Sequence, residues 1–583
     1  MSLYRMNPQV ILHHANEDRW LSFTEPVSVI QTNEISEVAG KLIEIETRVR
    51  QDNLHAAGFV SYEAAPAFDR ALITFPPDDF PLIWFGLYKE PEVIRLRDPD
   101  IKNNRQNWRS TTTREEYNAV IRQIKNELRE GNTYQVNYTF PLECNFEQDP
   151  WELFINLAKN QQSPYSAYME LDRFVIASIS PELFFSLDGN HIYSMPMKGT
   201  RARGRYYAED LKLKNDLQNA LKDRAENTMI VDMIRNDFGR IAEYGTVKAD
   251  DMYCIEKYPT VWQMVSGVSA KTNASIPEIF KALFPCASIT GAPKVNTMKI
   301  INRLEKTQRR IYTGSIGFIA PNRKAQFNVA IRTILFDKNS KKAEYGVGGG
   351  IVWDSIHEKE YEECFVKSRA LIMHMPEFRL LESILWNNED GYFILDYHLQ
   401  RMRQSAEYFN FKYYEHKIFK ALSDLGGKLD DSSFKIRVLL SKNGGFEIQS
   451  IRLDLPEYNR PLKVRLAKDP VDSENIFLYH KTTNREIYDR ERNKYSGYDE
   501  ILLFNEKDEI TEFTNANVVV KIEDRLYTPP VTCGLLSGTY RQYLLDRKQI
   551  IEKVIKLKDL EKSEEILLIN SVRKIHKIEN FSW

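Results

Sequence analysis

Cysteine is scarce in this chain, and it never occurs in pairs. Five cysteines stand far apart among 583 residues, which excludes a disulfide framework and a zinc site built from paired cysteines. Long apolar runs are missing as well. No stretch approaches the roughly eighteen residues of a membrane span, and the N-terminus MSLYRMNPQV has no apolar core before a cleavage site. We therefore expect a cytoplasmic protein that does not associate with membranes.

An excess of charge of either sign is also absent. The chain has 80 basic and 82 acidic residues, a formal net charge of -2. This balance provides no overall electrostatic surface for nucleic acid or for an anionic membrane, so we expect neither as a partner. A small anionic ligand would need only a few local cations.

The hydrophobic pattern predicts a mixed α+β protein. Residues 117–130 (YNAVIRQIKNELRE) repeat apolar side chains at helical spacing, and 226–242 and 279–284 are also predicted helices. No regular alternation of strands and helices and no internal repeat is present. The segments predicted as β-rich are RFVIASIS, HIYSM, YTGSIGFIA and FNVAIRTILF.

One pattern ends and another begins near MHMPEFRLLES, residues 373–383, where Pro376 interrupts the chain. The segment that follows predicts a strand, a turn at residues 387–391, a second strand and a helix. This is how a new domain would open. We therefore predict two domains, residues 1–373 and residues 378–583.

A carboxylate interrupts the apolar stripe of the predicted helix ENTMIVDMIRND. Glu226 shares that stripe with Met229 and Ile230, and a buried carboxylate is costly unless it is paired or binds a metal. An ion pair with Arg235 or Arg240 is an equally good interpretation of this segment alone.

A second acidic helix follows a glycine-rich strand. Glu360, Glu363 and Lys367 stand at helical spacing, and a hard cation between the two carboxylates would relieve their repulsion. The glycines of GVGGGIV indicate close approach of a ligand to the backbone. With Arg332 nearby in sequence, the pattern suggests a magnesium-assisted site for a carboxylate, although a solvated face with a Glu363–Lys367 pair is the simpler interpretation of the helix.

Seven blocks in order, between residues 55 and 372, resemble the chorismate-binding enzymes. This family includes anthranilate synthase large components, isochorismate and salicylate synthases and aminodeoxychorismate synthase component I, and the resemblance implies large antiparallel sheets flanked by helices. The blocks are SPELFF, PMKGTRARG, ENTMIVDMIRNDFGRI, ITGAPK, RRIYTGSIGF, VAIRT and GGGIVWDSIHEKEYEECFVK.

The resemblance also implies roles for single residues. Glu226 and Glu363 would bind Mg²⁺ with Glu360 close by, and Glu182 would be the general acid near the departing hydroxyl group. The substrate, chorismate, would contact Thr200, Tyr312, Arg332, the amides of Gly348 and Gly350, and Lys367.

Lys198 stands where anthranilate synthases of this family have a small residue, whereas aminodeoxychorismate synthases have a lysine in the form PIKGT, here PMKGT. A desolvated amine loses its proton and becomes a nucleophile. The resemblance therefore implies that Lys198 attacks chorismate and that ammonia then replaces it, which gives 4-amino-4-deoxychorismate. The alternative is a lysine that only pairs with the anionic substrate.

Two features depart from or limit the resemblance. Gln263 stands where many relatives have histidine, and an amide cannot carry a proton at neutral pH. We also find no cysteine motif for a glutaminase, so the expected source of ammonia is a separate glutamine amidotransferase subunit or free ammonia.

Three blocks between residues 378 and 578 resemble the fold-type-IV pyridoxal phosphate enzymes, which include aminotransferases and aminodeoxychorismate lyase. The resemblance implies two α+β subdomains and a possible homodimer. Lys481 would bind the cofactor covalently and act as the catalytic base, and Glu512 would pair with the cofactor ring nitrogen. The phosphate would be held by Arg401, Gly538 and Thr539. The blocks are HLQRMRQSAEYF, YHKTTNREIYD and EITEFTNANVVV with TPPVTCGLLSGTYRQYL.

Two positions of the third block also have simpler interpretations, namely a capped helix without a ligand at Gly538 and a solvent-facing glutamate at Glu512. Taken together, the two resemblances imply a bifunctional enzyme that forms 4-aminobenzoate, a folate precursor, with release of pyruvate. The alternatives are an anthranilate-type synthase fused to an aminotransferase, and a synthase whose C-terminal half is an inactive docking module.

Overall fold

The computed structural model describes residues 9–99, 106–368, 371, 375–454 and 460–582. The chain forms two compact units. The first unit consists of residues 1–203 and 214–375, and the second consists of residues 204–213 and 376–583.

The first unit contains two ten-stranded antiparallel sheets. Its strands are β1 Gln9–His14, β2 Arg19–Phe23, β3 Ser28–Thr32, β4 His55–Val60, β5 Ile83–Tyr88, β6 Glu92–Ile94, β7 Arg109–Ser110, β8 Gln135–Asn145, β9 Tyr165–Glu170, β10 Phe174–Ser180, β11 Leu183–Asp188, β12 His191–Met195, β13 Met197–Ala202, β14 Lys248–Lys257, β15 Val261–Lys271, β16 Gly291–Ala292, β17 Ser315–Ala320, β18 Lys324–Asn328, β19 Thr333–Asp337 and β20 Lys342–Ile351. Sheet A has the order β16-β8-β20-β19-β10-β9-β1-β2-β6, with β7 beside β8. Sheet B has the order β13-β15-β12-β11-β18-β17-β4-β5-β3, with β14 beside β15.

Helices cover the outer faces of the two sheets. Those before residue 369 are α1 Ile35–Gln51, α2 Ala65–Phe68, α3 Arg114–Arg129, α4 Pro150–Gln161, α5 Tyr207–Asn219, α6 Leu221–Gly239, α7 Ile276–Leu283, α8 Lys294–Leu304 and α9 His357–Ser368. Apolar side chains of α3, α4, α8 and α9 pack on sheet A, and those of α1, α6 and α7 pack on sheet B. A third core, which includes Val10, Phe59 and Phe318, fills the space between the sheets.

Local sequence signals account for several of these elements. The helix predicted at 117–130 is α3, and it begins after a capping box in which the Thr113 side chain accepts from Glu116 N. The predicted β-rich segment FNVAIRTILF is divided between β18 of sheet B and β19 of sheet A. Arg332, with a φ of 50°, lies in the passage between them, so a single run of β-forming residues crosses from one sheet to the other.

The second unit has two sheets with separate cores. Its strands are β21 Leu380–Asn387, β22 Gly391–Tyr392, β23 Phe434–Leu440, β24 Phe446–Arg452, β25 Leu462–Leu466, β26 Glu500–Phe504, β27 Ile510–Phe513, β28 Ala516–Ile522, β29 Arg525–Thr528, β30 Ile551–Glu552, β31 Glu565–Asn570 and β32 Lys574–Ser582. Sheet C has the order β22-β21-β23-β24, and sheet D has the order β27-β26-β25-β32-β31-β28-β29-β30. The helices are α10 Leu395–Phe409, α11 Glu415–Gly426, α12 Glu486–Lys494, α13 Thr539–Asp546 and α14 Leu557–Leu560.

Sheet C packs against α10 and α11, and sheet D forms its own cluster around Val464, Leu502 and Val518. The α+β class, the antiparallel sheets of the first unit and the two subdomains of the second are therefore confirmed. Among the residues that the structure describes, no helix has both the length and the apolar content needed to span a bilayer.

Candidate functional site

A cavity of about 650 Å³ in the first unit brings together most of the residues predicted for the chorismate site. It lies at the β16-β8-β20 edge of sheet A and the β13-β15 edge of sheet B. Lys367 is the exception, because its side chain lies outside the described residues. The predicted residues on the cavity wall are Glu182, Lys198, Thr200, Glu226, Tyr312, Arg332, Gly348, Gly350, Glu360 and Glu363.

Lys198 projects from β13 toward the acidic side of this cavity. Its Nζ lies 3.3 Å from Glu226 Oε2, and 17% of its side chain is exposed. Lys222, one turn earlier on α6, also lies 3.8 Å from Glu226 Oε1. Neither arginine suggested by the sequence pairs with Glu226, since Arg235 pairs with Asp232 and Arg240 donates to Ala282 O. The ion pair with Glu226 holds the Lys198 amine beside the acidic wall of the cavity.

The backbone around Lys198 is held by two amide side chains. Gln263 accepts from Thr200 Oγ1 at 2.9 Å and donates through Nε2 to Gly199 O at 2.9 Å. Asn227 donates to Lys198 O at 3.4 Å and accepts from Ser266 Oγ at 2.6 Å. Gln263 therefore contacts two consecutive residues of β13, a hydrogen-bonding role that needs no titratable proton.

The glycines of β20 allow side chains of the opposite wall to approach its backbone. A Cβ on Gly346 would meet the Tyr312 ring at 2.2 Å, and one on Gly350 would lie 2.8 Å from Lys198 Nζ. The glycines of GVGGGIV predicted close approach to this strand, and in the structure the Tyr312 ring and Lys198 Nζ approach its backbone.

Arg332 supplies a buried cation to the same cavity. Its Nη1 is buried and has no hydrogen-bond partner among the described residues. A buried N–H group without an acceptor costs free energy, so the position favours an anionic ligand such as a carboxylate.

The three predicted metal ligands share one wall without forming a tight cluster. Glu226, Glu360 and Glu363 all line the cavity, but within the described ranges no three acidic, histidine or cysteine side chains are close enough together to hold a metal ion. Mg²⁺ commonly uses only one or two protein carboxylates and completes its shell with water and substrate oxygen atoms. The donor chemistry therefore fits Mg²⁺.

Glu182 is buried, with 3% of its surface exposed. Burial raises the pKa of Glu182 to about 7, while the hydrogen bond from Ser288, the Met197 N–H group and the charge of Lys198 act in the opposite direction. A carboxyl group in this range can donate a proton near neutral pH.

Two polar residues beside these groups were not predicted from the sequence. Gln135, the first residue of β8, is fully buried, and both of its amide atoms lack partners in the described part of the chain. Its Nε2 would lie 3.1 Å from a Cβ on Gly350, close to Lys198. Ser288 donates to Glu182 Oε1 at 2.6 Å. Ser288 is next to the recognised block ITGAPK, whereas Gln135 carries no sequence signal of its own.

The second unit holds Lys481 beside strand β21. The carbonyl of Lys481 accepts from Leu381 N at 2.9 Å. Burial lowers the pKa of the Lys481 amine to about 7, and the neighbouring charge of Arg401 acts in the same direction. An amine with a pKa near 7 is about half neutral at pH 7, and its neutral form has the nucleophilicity needed to bond to an aldehyde.

Glu512 is buried rather than solvent-facing. Its carboxylate accepts from Tyr488 OH at 2.7 Å, from Asn517 Nδ2 at 3.1 Å and from Leu536 N at 3.2 Å. Burial raises the pKa of Glu512 to about 7, and the hydrogen bonds from Tyr488 and Leu536 N–H oppose this. These contacts hold the acid in one orientation.

The three predicted phosphate ligands lie in one connected region. Gly538 begins α13 without a side-chain cap, and a Cβ there would come within 1.8 Å of Asn517 Oδ1. Thr539 Oγ1 lies 3.4 Å from His398 Nε2. Arg401 donates through Nε and Nη2 to Glu382 and through Nη1 to Ser537 O, so its charge is already balanced by a carboxylate.

The residues of the second unit fit pyridoxal phosphate. The cofactor needs an amine for its aldehyde, and Lys481 is a buried amine of lowered pKa. It needs an acid beside its ring nitrogen, and Glu512 is a buried acid. Its phosphate needs exposed N–H groups, which the N-terminus of α13 offers without a side-chain cap.

Two family models match the chain. The model described as chorismate binding enzyme matches residues 7–373, and the model of the class IV amino-transferases matches residues 379–581.

Curated relatives align with the N-terminal part. Aminodeoxychorismate synthase component 1 of Salmonella typhimurium is 39% identical over 267 residues, which is 46% of this chain and 58% of that protein. The Bacillus subtilis protein of the same name is 39% identical over 261 residues, 44% of this chain and 55% of that protein. Anthranilate synthase component 1 of Aquifex aeolicus is 36% identical over 278 residues, 47% of this chain and 55% of that protein. The chain thus spans little more than half the length of these relatives.

Solved structures agree on the fold of the first unit. A Bacillus anthracis protein described as a putative 2,3-dihydroxybenzoate-specific isochorismate synthase matches with a TM-score of 0.55 at 17% identity, and the match covers 64% of this chain and 96% of that protein. Anthranilate synthase component I from Streptococcus pneumoniae has a TM-score of 0.54 at 20% identity, with coverage of 64% and 94%.

Proposed function

The chain belongs to the chorismate-binding enzymes, and we propose that it is a bifunctional enzyme that makes 4-aminobenzoate from chorismate and ammonia. The first unit would form 4-amino-4-deoxychorismate. The second unit would convert this compound to 4-aminobenzoate and pyruvate.

The observation that carries the proposal is the position of the Lys198 amine. It lies in one cavity with a buried acid, Glu182, and an arginine, Arg332, that has an unpartnered buried nitrogen. A lysine in the same block characterises the aminodeoxychorismate synthases that the sequence resembles, and the synthase relatives reach 39% identity. The anthranilate alternative, with a small residue at this position, is therefore disfavoured.

In the first reaction, the neutral Lys198 amine attacks ring carbon 2 while the bond between carbon 4 and its hydroxyl group breaks. Glu182 gives its proton to that hydroxyl group, which leaves as water. Ammonia then bonds to carbon 4, the bond between Lys198 and carbon 2 breaks, and the proton lost by the ammonia nitrogen is returned to the enzyme. Arg332, Tyr312 and the backbone of Gly348 and Gly350 hold the substrate carboxylates.

Glu226 and Glu363, with Glu360 beside them, would hold Mg²⁺. When bound, Mg²⁺ supplies a positive charge that holds a substrate carboxylate. Glu226 pairs with Lys198 and is also a proposed Mg²⁺ ligand. Occupancy of its carboxylate by another ligand would therefore leave Lys198 without this ion pair.

In the second reaction, Lys481 removes the proton from the ring carbon that bears the new amino group. The bond between the ring and the enolpyruvyl oxygen breaks and the ring becomes aromatic. The proton taken by Lys481 is returned to the methylene carbon of the departing enolpyruvate, which is released as pyruvate. Pyridoxal phosphate, held by Lys481, Glu512 and the Gly538–Thr539 region, supplies an electron sink at the amine-bearing carbon when it is bound. Glu512 keeps its acid group aimed at the site.

We propose that ammonia is delivered by a separate glutamine amidotransferase subunit. The relatives are themselves named as component 1 of a synthase, which supports a partner component. We also propose a homodimer through the second unit, which sedimentation of the purified chain with pyridoxal phosphate would test.

The decisive experiment incubates the full chain with chorismate, Mg²⁺, pyridoxal phosphate and an ammonium salt. We expect 4-aminobenzoate and pyruvate in equal amounts, and anthranilate as the product would refute the proposal. Without ammonia, intact-mass analysis should find a chorismate-derived adduct that Lys198→Ala abolishes. If the second unit is only a docking module, Lys481→Ala will leave the absorbance of bound pyridoxal phosphate unchanged.

A further inference from the structure

A hydroxyl group on the cavity wall contacts the buried acid of the first unit. Ser288 belongs to a short turn at Ala287–Ile289, and its Oγ donates to Glu182 Oε1 at 2.6 Å. Ser288 lines the cavity together with Lys198 and Glu182. It therefore contacts the acid at the point where a substrate would be bound.

A thiol lies behind this hydroxyl group. Cys286 Sγ is 3.2 Å from Ser288 Oγ, and the cysteine is buried. Burial raises the pKa of the Cys286 thiol to about 12, so the sulfur keeps its hydrogen at neutral pH. Because a thiol can donate to Ser288 Oγ, the serine is free to direct its own hydrogen to Glu182.

The remaining groups that act on Glu182 come from β13. The N–H group of Met197 donates to its carboxylate, and the charge of Lys198 acts on it from the same strand. On the other side, Lys294 acts on Cys286. Ser288 is thus the side-chain hydroxyl in the described structure that orients the carboxyl group.

We propose that Ser288, supported by Cys286, is a positioning residue that aims the Glu182 carboxyl group at the hydroxyl leaving the substrate. This inference rests on the proposed function, in which Glu182 donates that proton. A serine that only fills space would not influence the acidity of Glu182.

The test measures consumption of chorismate by the full chain in a single turnover without ammonia, so that the titration of ammonium does not enter. Activity should fall as the pH rises through the pKa of Glu182, because the protonated form is required. Ser288→Ala removes a donor to the carboxylate, so this alkaline limb should move to higher pH by about one unit. The maximal rate should fall at least about tenfold, because the acid is no longer aligned.

Conservative variants separate positioning from packing. Ser288→Thr keeps the hydroxyl group, so the alkaline limb of its pH profile should lie at the wild-type pH. Cys286→Ser should keep a donor to Ser288. Ser166→Ala is a control, because Ser166 is a buried serine whose hydroxyl group donates to the backbone oxygen of Ser163 rather than to Glu182. Ser166→Ala should lower the free energy of unfolding without moving the alkaline limb of the pH profile.

The possible results distinguish this inference from the proposed function. Suppose that Glu182→Gln is inactive, as the proposed function requires. A lower rate in Ser288→Ala with an alkaline limb at the wild-type pH would then overturn the positioning role of Ser288. If Glu182→Gln itself keeps the activity and the limb of the wild type, the assignment of the acid in the proposed function fails instead.

Discussion

Lys198 and Glu226 form an ion pair that bears directly on how the lysine could act. Lys198 Nζ lies 3.3 Å from Glu226 Oε2, so this carboxylate holds the amine in its position. The same carboxylate is a proposed ligand of Mg²⁺. One acidic side chain therefore links the position of the amine to occupancy of the metal site.

We expect Glu226→Gln to lower Mg²⁺ affinity and turnover of chorismate, each at least about tenfold, because an amide is a poor ligand for a hard cation. The free energy of unfolding should change by only about 1 kcal/mol, since the pair is partly exposed to solvent. Titration calorimetry with Mg²⁺ and denaturant unfolding would measure the two effects. Asp232→Asn, on the same helix and paired with Arg235, is the control and should change neither.

Lys481 makes the stability of the cofactor-free protein depend on pH. Its pKa is lowered to about 7 in the folded state, whereas in the unfolded chain it returns to its ordinary value near 10.5. Between these values the unfolded state binds more protons, so stability should rise with pH by up to about 1.4 kcal/mol per pH unit. Lys481→Met removes this contribution. Parallel pH slopes of denaturant unfolding for wild type and variant would contradict the prediction.

At the scale of elements, strand β20 forms one wall of the cavity because its glycines lack side chains. A side chain on Gly350 would meet Lys198 Nζ and Gln135. By contrast, Gly40 lies in α1 with nothing within 4 Å of an added Cβ. The two glycines therefore serve as a matched pair.

Gly350→Ala should displace Lys198 or Gln135 and lower formation of the Lys198 adduct at least about tenfold, because small misplacements are costly in catalysis. Gly40→Ala should leave adduct formation unchanged and raise the free energy of unfolding by about 0.5–1 kcal/mol, since alanine favours helix. Intact-mass kinetics and thermal unfolding would measure both. Wild-type adduct formation in Gly350→Ala would show that β20 tolerates a side chain.

At the scale of the whole molecule, the two proposed sites reside in separate compact units of one chain. We expect Lys481→Ala to release 4-amino-4-deoxychorismate without pyruvate, and Lys198→Ala to convert that compound when it is supplied. A mixture of the two variants should then form 4-aminobenzoate through the free intermediate. Chromatography of the products would test this. Retention of 4-amino-4-deoxychorismate on Lys481→Ala, with no 4-aminobenzoate from the mixture, would indicate that the intermediate does not leave the chain.

The family resemblance predicted eleven residues for the first site, and the structure places ten of them on the cavity wall, while the side chain of Lys367 is not described. Their chemical roles stay predictions. The ion-pair partners of Glu226 were not predicted. The sequence suggested Arg235 or Arg240, whereas Lys222 pairs with it from one turn earlier on α6 and Lys198 reaches it from a strand of sheet B.

Gln135 was missed for a related reason. A glutamine at the start of a strand has no distinguishing sequence pattern. Gln135 lies beside the Gly350 position because β8 pairs with β20, and there its amide has no hydrogen-bond partner among the described residues. Antiparallel pairing between strands some two hundred residues apart has no local signal.

The sequence by itself determined the α+β class, the helices with strong periodicity and caps, and the identity of the groups that could carry chemistry, because these depend on local spacing and on residue type. Only the tertiary structure decided the order of the two ten-stranded sheets, the crossing of the chain at Arg332, the pairing of Lys198 with Glu226 and the acidity of Glu182 and Glu512. These properties depend on burial and on contacts between distant segments, which arise when the chain packs.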